Sequence, residues 1–248
     1  AGGISLLVKT YSNDFSPVNS TGIINLLQFN ISPWSGYTTD ARPAVAFDSD
    51  GNPHVAAVIT KIEDNVDHLV YIHPGTESNT SCRSNGSTWI CDEIEAGFYG
   101  TEVQLSMTTS DTAGISYYDS AMDALMYAYP PSLSIYHPNC GPKTALDDFT
   151  WRCIEIDQGP GADKIDQVIS MDMGPGNVAQ IAYLYDVSAD TNRTLKTAKF
   201  VSSGGNCGLD YRLTTFPNTE LTNRWQCTTI TVIDYDSPYI AGLPSLKI

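Results

Sequence analysis

The stretch PAVAFDSDGNPHVAAV (43–58) decides the fold, because the chain repeats its form twice more. VQLSMTTSDTAGISYYD (103–119) and QVISMDMGPGNVAQIAYLYD (167–186) have the same order of parts. Each is an apolar strand, a tight Gly-containing turn and a second apolar strand. A polar loop and a third strand follow each time: HLVYIHP (68–74), ALMYAYP (124–130) and TLKTAKF (194–200). The chain then passes a Cys and a variable loop to reach Trp-x-Cys, at Trp89-Ile90-Cys91, Trp151-Arg152-Cys153 and Trp225-Gln226-Cys227. Ile94, Ile156 and Ile230 stand three residues further on, in a fourth strand. The unit is thus four antiparallel strands in about 60–75 residues.

Working outward, both ends of the sequence carry parts of one more unit. LPSLKI (243–248) matches the first strand, with Ser245 at the place of Ala46, Ser106 and Ser170. GGISLLVKTY (2–11) matches the second strand and GIINLLQF (22–29) the third, and Trp34 stands where the fourth belongs. Helical periodicity is absent, and Gly and Pro fall at turns. The expected architecture is an all-β, four-bladed β-propeller of four-stranded antiparallel blades, a single domain over 1–248. Blade 1 combines 243–248 with 2–40, and blades 2, 3 and 4 span 41–100, 101–165 and 166–242. Closing a ring with the last strand removes the exposed sheet edges.

FDSDGNPHVAAV (47–58), together with SYYDSAMDALMYAY (116–129), resembles the generic repeat of secreted β-propeller proteins. That resemblance covers nearly the whole chain and implies a fold and no particular activity. The chain is also distantly similar to sialidase-type Asp-box propellers, whose box reads Ser-x-Asp-x-Gly-x-Thr-Trp. The nearest stretch, Cys82-Arg83-Ser84-Asn85-Gly86-Ser87-Thr88-Trp89, lacks the Asp, and only six arginines are present to build a carboxylate clamp. Sialidase activity is therefore not carried over.

Six cysteines form three successive pairs 9, 13 and 20 positions apart, and neither a CxxC nor many histidines accompany them. That pattern points to disulfides Cys82–Cys91, Cys140–Cys153 and Cys207–Cys227 stapling the outer hairpin of each unit, not to zinc. Disulfides place the chain outside the reducing cytosol. Five sequons, at Asn19, Asn30, Asn79, Asn85 and Asn192, fit a secreted glycoprotein, and Ala1 reads as a processed start. The formal net charge of −15 argues against nucleic acid and anionic membrane surfaces as partners. A glycan or an extracellular protein is the expected partner.

Aligned first strands give axial rings: Ala46, Ser106, Ser170 and Ser245; Asp48, Thr108, Asp172 and Lys247; Arg42, Glu102, Asp166 and Ala241. They read as a self-neutralising polar hub, with an axial cation as the lesser reading. No other cofactor or metal is expected. On one face the loops collect carboxylates beside tyrosines, the pairing that suits sugars, because rings stack on C–H faces and acids accept from hydroxyls. The candidate binding residues are Tyr37, Tyr99, Tyr118, Asp119, Tyr185, Asp186 and Tyr235. Three functions follow. The favoured one is a non-catalytic, lectin-like recognition propeller. The second is a glycan hydrolase or lyase using Glu102 and Asp166, or Asp119 and Asp186 as equivalent positions. The third is a self-assembling structural protein linked by exchange of strand 243–248.

Overall fold

Alternation of apolar and polar residues at period two demands strands, and strands are what form. The computed structural model describes residues 5–9, 23–28, 37–38, 43–63, 65–75, 89–98, 100, 102–119, 121–131, 139–143, 149–158, 164–186, 192–201, 204–212 and 219–234. Regular structure among them is entirely β. The first unit contains β4 (Ala44–Phe47), β5 (Pro53–Lys61), β6 (Val66–Pro74) and β7 (Trp89–Phe98). The second contains β8 (Val103–Met107), β9 (Ala113–Asp119), β10 (Ala124–Tyr129) and β12 (Phe149–Gln158), with β11 (Cys140–Lys143) on the edge of β12. The third contains β13 (Lys164–Gly174), β14 (Val178–Asp186), β15 (Asn192–Phe200) and β17 (Thr219–Asp234), with β16 (Cys207–Arg212) on the edge of β17. Each unit is an antiparallel meander in chain order.

β1 (Ser5–Lys9) and β2 (Ile23–Gln28) pair antiparallel as a separate sheet, the neighbours that 2–11 and 22–29 were expected to be. The short β3 (Tyr37–Thr38) joins the first unit beside β5. A bridge between Glu155 and Leu209 links β12 to β16, so the second and third units form one ten-stranded sheet. The result is three antiparallel sheets, and no described pairing joins β1–β2 to the other two. Strand 243–248 and Trp34 lie outside the described residues. No helix among the described residues is long and apolar enough to cross a membrane.

The inner hairpin turn has one geometry in all three units. At Asp48–Gly51, Thr108–Asp111 and Gly174–Asn177 the fourth amide donates to the first carbonyl, at 3.0, 3.0 and 3.1 Å. The fourth residue is left-handed, with φ of 81°, 58° and 61°, and Gly, Asp and Asn are the types that tolerate it. This register corrects the β13 member of the expected rings, and Gly174, not Asp172, stands level with Asp48 and Thr108. Asp172, not Ser170, stands level with Ala46 and Ser106, because β13 opposes β14 as Asp172 to Gln180 where Ser106 opposes Gly114. β13 is eleven residues long and carries two register shifts, which displace its sequence by two positions relative to β8. Ser106 donates its hydroxyl to Asp172 Oδ1 at 3.3 Å and accepts the Met173 N–H at 3.2 Å.

The units stack face to face, with inner strands β4, β8 and β13 adjacent in order. β10 shows how one strand serves two cores. Ala124, Met126 and Ala128 enter the core shared with Ala56, Val58, Leu69 and Tyr71 of the first unit. Leu125 and Tyr127 enter the core shared with Met171, Ile181 and Tyr183 of the third. Each fully buried aliphatic side chain contributes roughly 1.5–3 kcal/mol. Trp151 meets Tyr71 edge-on at 5.2 Å, and Trp225 meets Tyr127 edge-on at 5.3 Å.

Disulfides Cys140–Cys153 and Cys207–Cys227 staple the outer hairpins as expected. Cys91 is disulfide-bonded too, and its expected partner Cys82 lies outside the described residues. Beside each staple sits a clamp that the Trp-x-Cys pattern did not announce. Asn139 accepts the Cys153 N–H at 2.7 Å and donates to the Cys153 carbonyl at 2.9 Å. Asn206 does the same to Cys227, at the same two distances. Gly141 and Gly208 follow, with φ of 85° and 90°, where a Cβ would lie 2.5 Å from Cδ1 of Trp151 or Trp225. The motif is therefore Asn-Cys-Gly with Trp-x-Cys. Formed disulfides belong to an oxidising, extracellular-like environment.

Candidate functional site

Three sets of polar groups concentrate the chemistry of the described residues: the loop face, a histidine row in the first unit, and the joints between units.

On the loop face, Tyr118, the last residue but one of β9, is half-buried and donates its hydroxyl to Asp123 Oδ1 at 2.9 Å. Asp119 is 3% exposed, and its Oδ1 accepts the N–H of Ala121 at 2.9 Å and of Met122 at 3.3 Å. It holds the turn into β10. Tyr185 is buried, with Lys196 Nζ 3.5 Å above its ring. Asp119 lies opposite Ala124 and Tyr185 opposite Thr194, so these two residues occupy equivalent places. Asp186 is therefore one position beyond the Asp119 level, opposite Lys164 and Arg193. Tyr37 pairs with Lys61 in β3, and Tyr99 and Tyr235 lie outside the described residues. Glu102 is half-buried just before β8, Asp166 is within β13, and Arg42 lies outside the described residues. Asn192 opens β15 opposite Asp234, whereas Asn19, Asn30, Asn79 and Asn85 lie outside the described residues.

The row that sequence reasoning missed lies on the face of the first unit turned to the second. Cross-strand register brings together Asp48, His54, Tyr71, His73 and Asp92. His54 Nδ1 meets the Tyr71 hydroxyl at 2.5 Å, and its Nε2 stands 3.4 Å from Asp48 Oδ2. The His54 and His73 rings are nearly parallel, 6.0 Å apart, and Tyr71 stacks on His73 at 4.8 Å. His73 Nε2 lies 3.6 Å from Asp92. Burial pushes the His54 pKa down, aided by His73, against the opposing pull of Asp48 and Asp111. Hydrogen bonding from Asn52 leads the lowering of Asp48, with the His54 contact adding to it. Burial raises the Tyr71 hydroxyl well above its ordinary value, and the charges of Asp92 and Asp48 add to this. The order Asp–His–Tyr has the outline of a proton relay, with Nε2–H facing Asp48 and Nδ1 accepting from Tyr71. Raising the Tyr71 pKa favours its neutral phenol, so the contact works as a hydrogen bond that locks β5 to β6. A sequence signal existed: His54 and His73 fall at period-two positions with Ala56 and Tyr71.

The joints between units use the same residue types twice. Asp111 accepts the Ser49 N–H at 2.7 Å and the Ser49 hydroxyl at 2.6 Å. Asn177 accepts the N–H and hydroxyl of Thr109 at 2.8 and 3.0 Å. Tyr117 donates to Glu95 of the preceding unit, and Tyr183 donates to Asp157 at 2.6 Å. Burial raises the Glu95 pKa, opposed by the Tyr117 bond. Among the described residues no three His, Cys, Asp or Glu side chains converge as a metal site. In comparisons with known proteins, the chain matches no family model, no curated protein and no solved structure.

Proposed function

We propose that the chain is a secreted four-bladed β-propeller glycoprotein that recognises carbohydrate on its loop face without chemical turnover. In this reading a fourth unit is built from 243–248 with 2–40 and covers the far face of the first unit. The face needs such a neighbour: Val55, Ile59, Val70 and Ile72 are at most 2% exposed and belong to neither shared core.

The observation that carries recognition is the Tyr118–Asp123 pair. Asp119 and Tyr185 are built into the interior, whereas Tyr118 is half-buried at the margin of the core shared with the third unit and is held in place by Asp123. A fixed aromatic face beside a carboxylate offers a sugar stacking and hydrogen bonding at little ordering cost. Repetition of the same joints in successive units supports a rigid scaffold whose function lies in its loops. A glycan array probed with the full glycosylated chain tests the reading. Selective binding that Tyr118→Ala weakens by about tenfold, a loss of about 1.4 kcal/mol, is expected. An array without hits, or hits indifferent to Tyr118→Ala, would reject it.

A further inference from the structure

The two described seams between units differ in their side chains. Register places Gly114, Tyr127, Tyr129 and Ile154 of the second unit where His54, Tyr71, His73 and Asp92 stand in the first. Gln180 holds the His54 place in the third unit. Histidine changes charge between about pH 5 and 8, and none of its replacements does. The seam between the first and second units is thus built around a pair of rings that take up protons.

Hydrogen-bond chemistry orders those protons, because a backbone carbonyl and a carboxylate can only accept. His73 Nδ1 lies 2.9 Å from the Pro74 carbonyl oxygen, and its Nε2 lies 3.6 Å from Asp92 Oδ2. Both of its nitrogens are placed to donate. His54 has one acceptor, Asp48 Oδ2 at 3.4 Å from Nε2, while its Nδ1 takes the Tyr71 hydroxyl proton at 2.5 Å. The first added proton of the pair therefore belongs to His73. A second, on His54, sets two positive rings face to face, 6.0 Å apart and 4° from parallel. It also turns Nδ1 into a donor. The Tyr71 hydroxyl must then reverse and send its proton towards Asp92, its cross-strand partner. Burial pushes the His54 pKa down, and His73 adds to this against the pull of Asp48 and Asp111. Among the described residues, Asp48, Tyr71, His73 and Asp111 are the titratable groups that face His54, and Asp92 faces His73. β8 and β9 bring the apolar Met107 and Ala113 to the same seam.

His54 is tied to two contacts that cross this seam. Asp48 Oδ1 accepts the N–H of Asp50 at 3.0 Å and of Asn52 at 2.7 Å, which fixes the turn whose Ser49 reaches Asp111. Tyr71 meets Trp151 of the second unit edge-on. We infer that His54 and His73 form a proton-operated latch: the singly protonated pair holds the first unit's turn against the second unit, and a second proton frees it. The latch stands independently of the recognition reading and of a fourth unit.

The test follows amide hydrogen exchange of the full chain by NMR, disulfides intact, at about pH 7.5 and about pH 5.5, above the ordinary carboxylate range. Rates are corrected for the intrinsic pH dependence of exchange. The Ser49 N–H crosses the first seam to Asp111, and the Thr109 N–H crosses the second to Asn177, so one molecule holds both probe and control. Protection of Ser49 should fall about tenfold, the effect of one extra proton over the first pH unit below 6.5, while Thr109 holds. His54→Gln, which copies Gln180, should remove the loss. His73→Tyr, which copies Tyr129, should shrink it, because the His54 proton then meets no facing charge. Far-UV circular dichroism checks that both variants fold. Equal losses at Ser49 and Thr109, no loss at Ser49, or a loss that survives His54→Gln would overturn the latch. Should His54→Gln fail to fold, the two probes of the unmodified chain and His73→Tyr still decide, since a loss that His73→Tyr leaves unchanged would overturn the coupling of the rings.

Discussion

Replacing Tyr117 or Tyr183 by Phe removes the same hydroxyl from equivalent places in successive units, yet the two losses should differ. Tyr117 is fully buried, and its hydroxyl donates to Glu95, whose carboxyl is pushed up chiefly by burial. Removing that donor strands a desolvated carboxylate, which costs about 2–3 kcal/mol. Asp157 loses the Tyr183 hydroxyl but keeps Lys196 Nζ at 3.1 Å on the same oxygen, so Tyr183→Phe should cost only about 1 kcal/mol. For a chain of this size these costs correspond to about 4–12 °C and about 2–4 °C in Tm. The two variants also differ in pH dependence. A carboxyl whose folded pKa lies above its unfolded value contributes stability that is complete below the ordinary 4.5 and lost as pH rises through the folded value. Tyr117→Phe deletes the bond that lowers this pKa, so its cost is greatest near neutrality and shrinks on acidification toward about pH 5. Denaturant melts with the disulfides intact, run at both pH values, read these differences. Equal costs, a larger cost for Tyr183→Phe, or a Tyr117→Phe cost that ignores pH would refute the reasoning.

Asn139→Ala removes both bonds to the Cys153 backbone and should cost about 2 kcal/mol by denaturant melt, with the Cys140–Cys153 bridge still formed by peptide mapping. Gly141→Ala drives a Cβ to 2.5 Å from Trp151 at a left-handed φ, and should destabilise by about 2–4 kcal/mol. Its Trp fluorescence should shift, whereas the same change at Gly51, whose φ of 81° is also left-handed but whose Cβ would meet open space, should cost only the backbone strain of about 1 kcal/mol and leave the Trp signal unchanged. His54 has a depressed folded pKa, so its contribution is present above 6.5 and lost as pH falls through the folded value. Between 6.5 and that folded value the denaturant midpoint of the unmodified protein should fall more steeply than that of His54→Asn. Parallel curves would show that His54 does not carry the effect.

Strand existence and order were legible because period-two alternation and turn residues recur in all three units. The Cys140–Cys153 and Cys207–Cys227 staples were legible from the same recurrence. β13 misled because Ser-Met occurs in both VQLSM and QVISM, and matching those letters hides the two-position displacement that its register shifts produce. The Asn-Cys-Gly clamp was written twice, at 139–141 and 206–208, but the first unit reads Ser81-Cys82-Arg83 and obscures it. Tyr185 and Asp119 looked like loop residues, yet both sit at strand ends where the neighbouring strand and turn enclose them. Period two tells which residues share a face, but not which neighbour that face meets. The pairs Tyr117–Glu95 and Ser49–Asp111 depend on that neighbour, so they needed the stacked units to be seen.

The directionality of the joints has a consequence for how such a chain can lengthen. Only the unit from β8 to β12 holds both halves of both joints among the described units: Thr109 and Asp111 at its turn, Tyr117 and Asp157 in its strands. Two tandem copies of it would meet tongue to groove, with every donor answered. A tandem copy of the first unit would set Ser49 against Gly51, and a copy of the third would set Pro175 against Asn177. Among the described units, duplication therefore has one permissive place, the unit from β8 to β12, because neither of its neighbours can follow itself.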